Sequence, residues 1–243
     1  MKDKSYLLAT DLDHTLVGDP SSLSNLFTHY QKQQFDVALV YVTGRHLDSA
    51  LNLIEKENLP IPNILITDVG AAVYLAPDWK EDEVWSAWIN ETWTPDEILR
   101  LSQNFPSLIK QDLPHQRRIS FTLDPDQAEL VQAVKQNLKQ HEILHHIVFS
   151  SGRDLDILPE RSGKGKAVDY VLRKYAKPEV HVLLAGDSGN DAEMLSLDYP
   201  AVIVGNAQIE LDELPFHPLL YRATEHYAAG IQEAWDYYYP KTQ

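Results

Sequence analysis

Hydrophobic residues come in short, uninterrupted runs near both ends of the chain. Residues 6–10 (Tyr6-Leu7-Leu8-Ala9-Thr10), 37–42 (Val37-Ala38-Leu39-Val40-Tyr41-Val42), 63–67 and 180–185 are mostly apolar and do not alternate. Runs of this kind suit strands buried on both faces, as in a parallel sheet covered by helices. Polar turns and helical stretches separate them. Gly18-Asp19-Pro20 precedes a predicted helix over 24–33, Thr43-Gly44-Arg45 leads into one over 46–57, and Ser162-Gly163-Lys164-Gly165-Lys166 opens one over 167–175. The alternation predicts an α/β fold with a Rossmann-like parallel-sheet core.

The middle of the chain has a different rhythm. Residues 77–159 hold an amphipathic stretch with Trp79, Trp85, Trp88 and Trp93, then predicted helices over 95–103 and 125–141 and strands over 118–123 and 146–150. Grouped strands and helices with few parallel-sheet signals predict an inserted α+β cap domain over 77–159, with the core built from 1–76 and 160–243. Tryptophans at helical spacing suit a packed core better than a sugar-stacking platform. There is no internal repeat and no low-complexity tract.

Composition narrows the function. The chain has 243 residues, of which 44% are hydrophobic, enough to bury a sizeable core. It has 21 Lys and Arg against 36 Asp and Glu, a formal net charge of −15. That field disfavours nucleic acid and anionic membrane as partners. An anionic small molecule would need a metal ion or local cations to reverse the potential. With no cysteine, disulfides, thiolate zinc sites and cysteine nucleophiles are excluded, so any metal must be held by oxygen or imidazole. No apolar run is long enough to span a bilayer, and Met1-Lys2-Asp3-Lys4-Ser5 leads into a strand-like run, not a signal peptide. A cytoplasmic location is the expectation.

The candidate chemistry sits where predicted strands end. Asp11 and Asp13 follow the first apolar run, and residues i and i+2 of an extended chain face the same way. One carboxylate could attack phosphorus while the other handles protons, although Asp and Thr in Asp11-Leu12-Asp13-His14-Thr15 also suit a turn or a helix cap. Thr43 and Asp68 close two further strands, at the carboxyl edge where open parallel sheets gather reactive groups. Lys164 lies at a helix start, a setting that favours anions, or else in a flexible basic turn. Gly186-Asp187-Ser188-Gly189-Asn190-Asp191 places two carboxylates four residues apart in a loop, which suits a hard cation such as Mg²⁺ or, more simply, a helix cap.

Taken in order, Asp11-x-Asp13-x-Thr15, Thr43-Gly44, Lys164 and Gly186-Asp187-x-x-Asn190-Asp191 resemble the four motifs of the haloacid dehalogenase superfamily of phosphatases. Residues 7–17, Tyr41-Val42-Thr43-Gly44-Arg45, Arg118-Ile119-Ser120-Phe121 and Phe149-Ser150-Ser151-Gly152-Arg153-Asp154-Leu155-Asp156-Ile157-Leu158-Pro159 resemble, more narrowly, the sucrose-phosphate phosphatases of cyanobacteria and plants. Arg153 departs from the Lys expected in many relatives, which keeps the charge but changes the hydrogen-bond geometry.

The resemblance implies hydrolysis of sucrose 6-phosphate through an aspartyl-phosphate. Asp11 would be the nucleophile and Asp13 the general acid and base. Mg²⁺ would be held by Asp11, the Asp13 backbone carbonyl, Asp187 and Asp191. Thr43, Gly44, Lys164 and Asn190 would hold phosphoryl oxygens, and Arg118, Ser120, Arg153 and Asp154 are candidate sugar contacts. Two alternatives stay open: a phosphatase of a related compatible-solute precursor (mannosylfructose phosphate or glucosylglycerol phosphate), and a phosphosugar-binding regulator without turnover. A phosphorylatable receiver domain shares several motif residues but is too short and lacks the insertion. Association with the synthase that forms the substrate is left open.

Overall fold

The computed structural model describes residues 1–240. Its larger sheet has eight strands: β1 (Tyr6–Thr10), β2 (Val37–Val42), β3 (Ile64–Thr67), β4 (Ala72–Leu75), β5 (Lys80–Glu81), β10 (His181–Gly186), β11 (Ala201–Ile203) and β12 (Leu220–Arg222). Their order is β12-β11-β10-β1-β2-β3-β4-β5. Pairing is parallel from β12 through β3, then antiparallel to β4 and β5 at the edge.

Both faces of this sheet are covered, which is why its strands read as continuous apolar runs. Leu7, Ala9, Val40, Val42, Ile64 and Ile66 point to one side, against Val168, Val171 and Leu172 of α6 (Lys164–Tyr175) and Met194 and Leu195 of α7 (Ala192–Leu195). Leu8, Leu39, Tyr41, Leu65 and Leu183 point to the other. There they meet α1 (Pro20–Lys32), α2 (Leu47–Lys56) and α8 (Tyr227–Tyr238), the last through Ile231 and Trp235. The first helix begins earlier than its sequence expectation because Asp19 caps it, accepting from Ser22 N–H at 2.8 Å.

A second sheet, antiparallel throughout, runs β6 (Ile109–Lys110), β7 (Ile119–Thr122), β9 (Asp154–Leu158), β8 (His146–Ser150). Its own core joins Ile119, Phe121, Leu155 and Ile157 to Ile98 and Leu101 of α4 (Pro95–Ser102) and to Val131, Val134 and Leu138 of α5 (Leu130–Gln140).

The segment expected to form the insertion divides between the two sheets. β5 pairs with β4, and α3 (Glu83–Asn90) buries Trp85 and Ile89 in the larger core. Asp82 starts that helix by accepting from the Val84 and Trp85 N–H groups at 3.1 Å, and the Trp85 indole donates to Gly70 O at 3.1 Å. Residues 80–90 therefore side with the larger sheet, and the second sheet's core begins at α4.

Candidate active site

In the larger sheet the chain proceeds outward from β1 in one direction through β2 and β3, and in the other from β10 through β11 and β12. The switch point lies between β1 and β10, whose carboxyl ends deliver Asp11 and Asp187 side by side. The Asp11 N–H extends the ladder by donating to Ala185 O at 3.0 Å, so the first carboxylate leaves the sheet as a fixed continuation of β1.

Asp191 completes an acidic triad. One oxygen each from Asp11, Asp187 and Asp191 lies within 4.8 Å of the others, and all three residues are buried. The loop is built to aim them. Asp191 Oδ2 accepts from the Asp187 and Ser188 N–H groups, both at 3.1 Å, and Thr15 Oγ1 donates to Asp187 Oδ1 at 2.7 Å. Asp191 thus serves as a cap through Oδ2 while its Oδ1 accepts from Lys164.

Lys164, the first residue of α6, reaches into this triad. Its Nζ donates to Asp11 Oδ1 and Asp191 Oδ1, both at 2.7 Å, and the side chain is buried. Burial alone would lower its pKa, but Asp11 and Asp191 raise it above the ordinary lysine value. Burial also pushes the Asp11 carboxyl well up, with Lys164 opposing, and burial followed by repulsion from Asp191 pushes Asp187 up to about 6. Three crowded carboxylates face one ammonium, a formal excess of negative charge in a buried cluster that opens on a cavity. The all-oxygen donor set fits a hard divalent cation, whose charge would relieve that excess.

Asp13 stands apart from the triad. Arg45 grips its carboxylate at both ends, Nε to Oδ2 and Nη2 to Oδ1, each at 2.7 Å, while Nη1 donates to Ser49 Oγ at 2.8 Å. Thr43 is buried after β2, with its hydroxyl accepting the Arg45 N–H at 3.1 Å. Gly44 follows on the cavity wall.

These groups open into a cavity of about 570 Å³, within the usual range for small-molecule sites. Its wall includes Asp11, Asp13, Gly44 and Asp187 from the larger sheet and Arg118, Arg153 and Asp154 from the second. Asn190 also faces it, and its buried Oδ1 has no protein partner. Of the four expected sugar contacts, Ser120 is set back from the wall. It is buried and donates to Asp156 Oδ1, to which Arg118 Nη1 also donates. Arg118 Nη2 crosses to the larger sheet and donates to Gly44 O at 2.7 Å, while Nε lies 3.7 Å from Asp68 Oδ1. None of the four tryptophans singled out in the sequence lines this cavity; Trp85 is buried in the larger core, whereas Trp88 is exposed.

Three contributors escaped sequence reasoning. Arg45 stood inside a recognised motif, yet nothing in its spacing paired it with Asp13, 32 residues away. Asp156 alternates with apolar residues in β9 as an ordinary strand position would. Glu210 carries no local signal, and its contacts come only from the fold.

A doubly wound sheet with an acidic switch point, a buried lysine and a second sheet over the mouth places the chain among the haloacid dehalogenase-like hydrolases, and a protein of Nitrosococcus oceani named as a hydrolase of that class is 30% identical over 100% of this chain and 74% of that protein. A Bacillus subtilis haloacid dehalogenase-like hydrolase shares this fold, with a TM-score of 0.67 at 17% identity, over 100% of this chain and 95% of that one. More narrowly, the chain belongs to the sucrose-6F-phosphate phosphohydrolase family, whose defining sequence pattern matches residues 4–239. The sucrose-phosphatase of Synechocystis, solved in complex with sucrose and phosphate, is 32% identical, with a TM-score of 0.89 over 97% of this chain and 98% of that one. Sucrose-phosphatase 1 of Nicotiana tabacum is 34% identical over 94% of this chain, which spans 58% of that protein's length.

Proposed function

We propose that the protein hydrolyses sucrose 6-phosphate to sucrose and inorganic phosphate. The observation that carries this is the buried Asp11, set beside Lys164 at the floor of a cavity roofed by polar groups of the second sheet. Family membership supports the same substrate. In this scheme the second sheet and its helices act as the cap that selects the sugar.

Asp11 attacks phosphorus, and the bond from phosphorus to the sugar oxygen breaks. Asp13 gives its proton to the departing oxygen. Asp13, now ionised, takes a proton from water as that water attacks the aspartyl-phosphate, which frees Asp11 and releases phosphate. Lys164, the Thr43 hydroxyl, the Gly44 N–H and the Asn190 amide hold phosphoryl oxygens as charge moves among them. Mg²⁺ would be held by Asp11, the Asp13 backbone carbonyl, Asp187 and Asp191, and when bound it offsets the repulsion between an anionic carboxylate and an anionic ester. The cap excludes water until the sugar leaves. Cytoplasmic location and delivery of substrate by the sucrose-phosphate-forming synthase complete the scheme.

Phosphate release from a panel of sugar phosphates, assayed with Mg²⁺, tests it. Preference for sucrose 6-phosphate is the expected result. A stronger preference for a hexose monophosphate overturns the substrate and leaves the reaction class standing, whereas binding without phosphate release overturns both.

A further inference from the structure

The turn joining β8 to β9 carries Arg153 and, one residue on, Asp154, both on the cavity wall. It is tight. Ser151 and Gly152 take φ of 54° and 63°, and the Arg153 N–H closes it by donating to Ser150 O at 3.2 Å. The Ser151 N–H is turned outward, toward the larger sheet's side of the molecule. There it donates to Glu210 Oε1 at 3.0 Å, and the same oxygen accepts the N–H of Gly189. Gly189 belongs to the loop that carries Asp187, Asn190 and Asp191. One carboxylate oxygen thus joins the sugar-facing turn to the acidic loop.

The approach is close on every side. A Cβ at Gly189 would lie 2.7 Å from Glu210 Oε1 and 3.1 Å from Phe149 O of β8, so a larger residue there would have to displace the Glu210 carboxylate. Glu210 also stands on a firm base. It belongs to a 3-10 turn, Ile209–Glu213, anchored by buried Leu211, whose carbonyl accepts from Arg222 at 3.0 Å. The Gln208 N–H just before it donates to Asp187 O at 2.7 Å. The acidic loop thus has tethers of its own, this bond and the Asp187 and Ser188 N–H groups capped by Asp191, whereas Glu210 Oε1 ties the turn at Ser151 to it.

We propose that Glu210 is a positioning residue for the sugar half of the substrate: it docks the turn bearing Arg153 and Asp154 onto the acidic loop and sets the reach of both to the sugar. Glu210 is not on the cavity wall, and its carboxylate bonds backbone N–H groups of Ser151 and Gly189. Its effect, resting on the sugar-phosphate reading above, falls on substrates that fill the space beneath the turn.

The test compares Glu210→Ala and Glu210→Gln with the unaltered protein on sucrose 6-phosphate and on p-nitrophenyl phosphate, which has no sugar. Loss of a charged acceptor should raise KM for sucrose 6-phosphate about tenfold in Glu210→Ala, with kcat/KM for the aryl ester held within about twofold. Glu210→Gln keeps an acceptor oxygen and should return KM to within about threefold of the unaltered value. Amide hydrogen exchange at Ser151 should quicken in Glu210→Ala and not in Glu210→Gln. An equal loss on both substrates, an unchanged KM, or unchanged exchange at Ser151 overturns the proposal. If the unaltered protein prefers another sugar phosphate, the substrate assignment fails and that ester takes the place of sucrose 6-phosphate in the same comparison.

Discussion

Arg45 binds both carboxylate oxygens of Asp13, at 2.7 Å each, so the group assigned to proton transfer is oriented by a fixed fork. Each Asp13 oxygen keeps a second lone pair, where the proton destined for the sugar oxygen in the proposed mechanism can sit while the fork holds the plane of the group. In the proposed mechanism Arg45 therefore sets where Asp13 waits and from which direction it acts. Asp13→Asn should lower kcat about 10²- to 10⁴-fold with little change in substrate binding. Arg45→Lys should lower it about tenfold or more, because an ammonium cannot reproduce the planar two-point grip. Steady-state kinetics on both variants check this, and an Arg45→Lys protein with unaltered kcat would count against the orienting role.

Asp11→Asn should remove at least about a thousandfold of turnover, since an amide is a poor nucleophile and knockouts of covalent nucleophiles cost this much or more. The substitution is nearly isosteric, so folding should survive, and a thermal melt confirms that the loss is chemical. Rapid quenching of the unaltered enzyme with labelled substrate should trap phosphate on the protein, and Asp11→Asn should trap none.

Among the described residues Lys164 is the sole ammonium bonded to the triad, donating to Asp11 and Asp191 at 2.7 Å each. Its removal leaves buried carboxylates without their cation, a change that typically costs about 3–5 kcal/mol. Lys164→Met should therefore lower the melting temperature most in EDTA. Excess Mg²⁺ should recover part of that stability while activity stays low, because phosphate has lost a contact. A melt insensitive to Mg²⁺ in both proteins would argue that the triad is not a cation site. EDTA should silence the unaltered enzyme, and Mg²⁺ should restore it.

How far the sequence could be read depended on whether a signal was local. Asp11, Asp187 and Asp191 each follow a buried strand, and strand plus motif was enough to bring them to one end of one sheet. The parallel order was legible in Leu7-Leu8-Ala9 and in Ala38-Leu39-Val40 because both faces of those strands are covered. The short strands β11 and β12, three residues each, left no comparable run. α3 looked like part of the insertion because its tryptophans continue an amphipathic stretch. Its allegiance is decided by Asp82, whose partners on α6 lie about ninety residues further along. Ser120 followed the same pattern. The resemblance offered Ser120 as a candidate sugar contact, whereas its hydroxyl is bonded to Asp156 on the neighbouring strand. Side chains whose partners come from distant elements were not readable from spacing.

Asp82 offers a test of that allegiance through acid. It is buried, caps α3, and accepts from Lys174 Nζ at 2.8 Å, Tyr170 OH at 3.0 Å and Tyr175 OH at 2.6 Å. Burial opposes ionisation, but hydrogen bonds from Lys174, Tyr175 and the Trp85 N–H together hold the carboxyl below its ordinary 3.8. A carboxylate depressed in the folded state adds stability that is fully present above the unfolded value and disappears as pH falls through the lower folded one. Asp82→Asn keeps the size and part of the cap while removing the charge. It should cost about 1–3 kcal/mol at pH 7, the range for a lost charged acceptor with buried donors. The gap to the unaltered protein should hold down to about pH 4 and then narrow with further acid, as the unaltered carboxyl also becomes protonated. Urea denaturation of both proteins across that range measures the gap directly. A difference that stays constant below pH 3.8 would show that Asp82 is not the titrating anchor between α3 and α6.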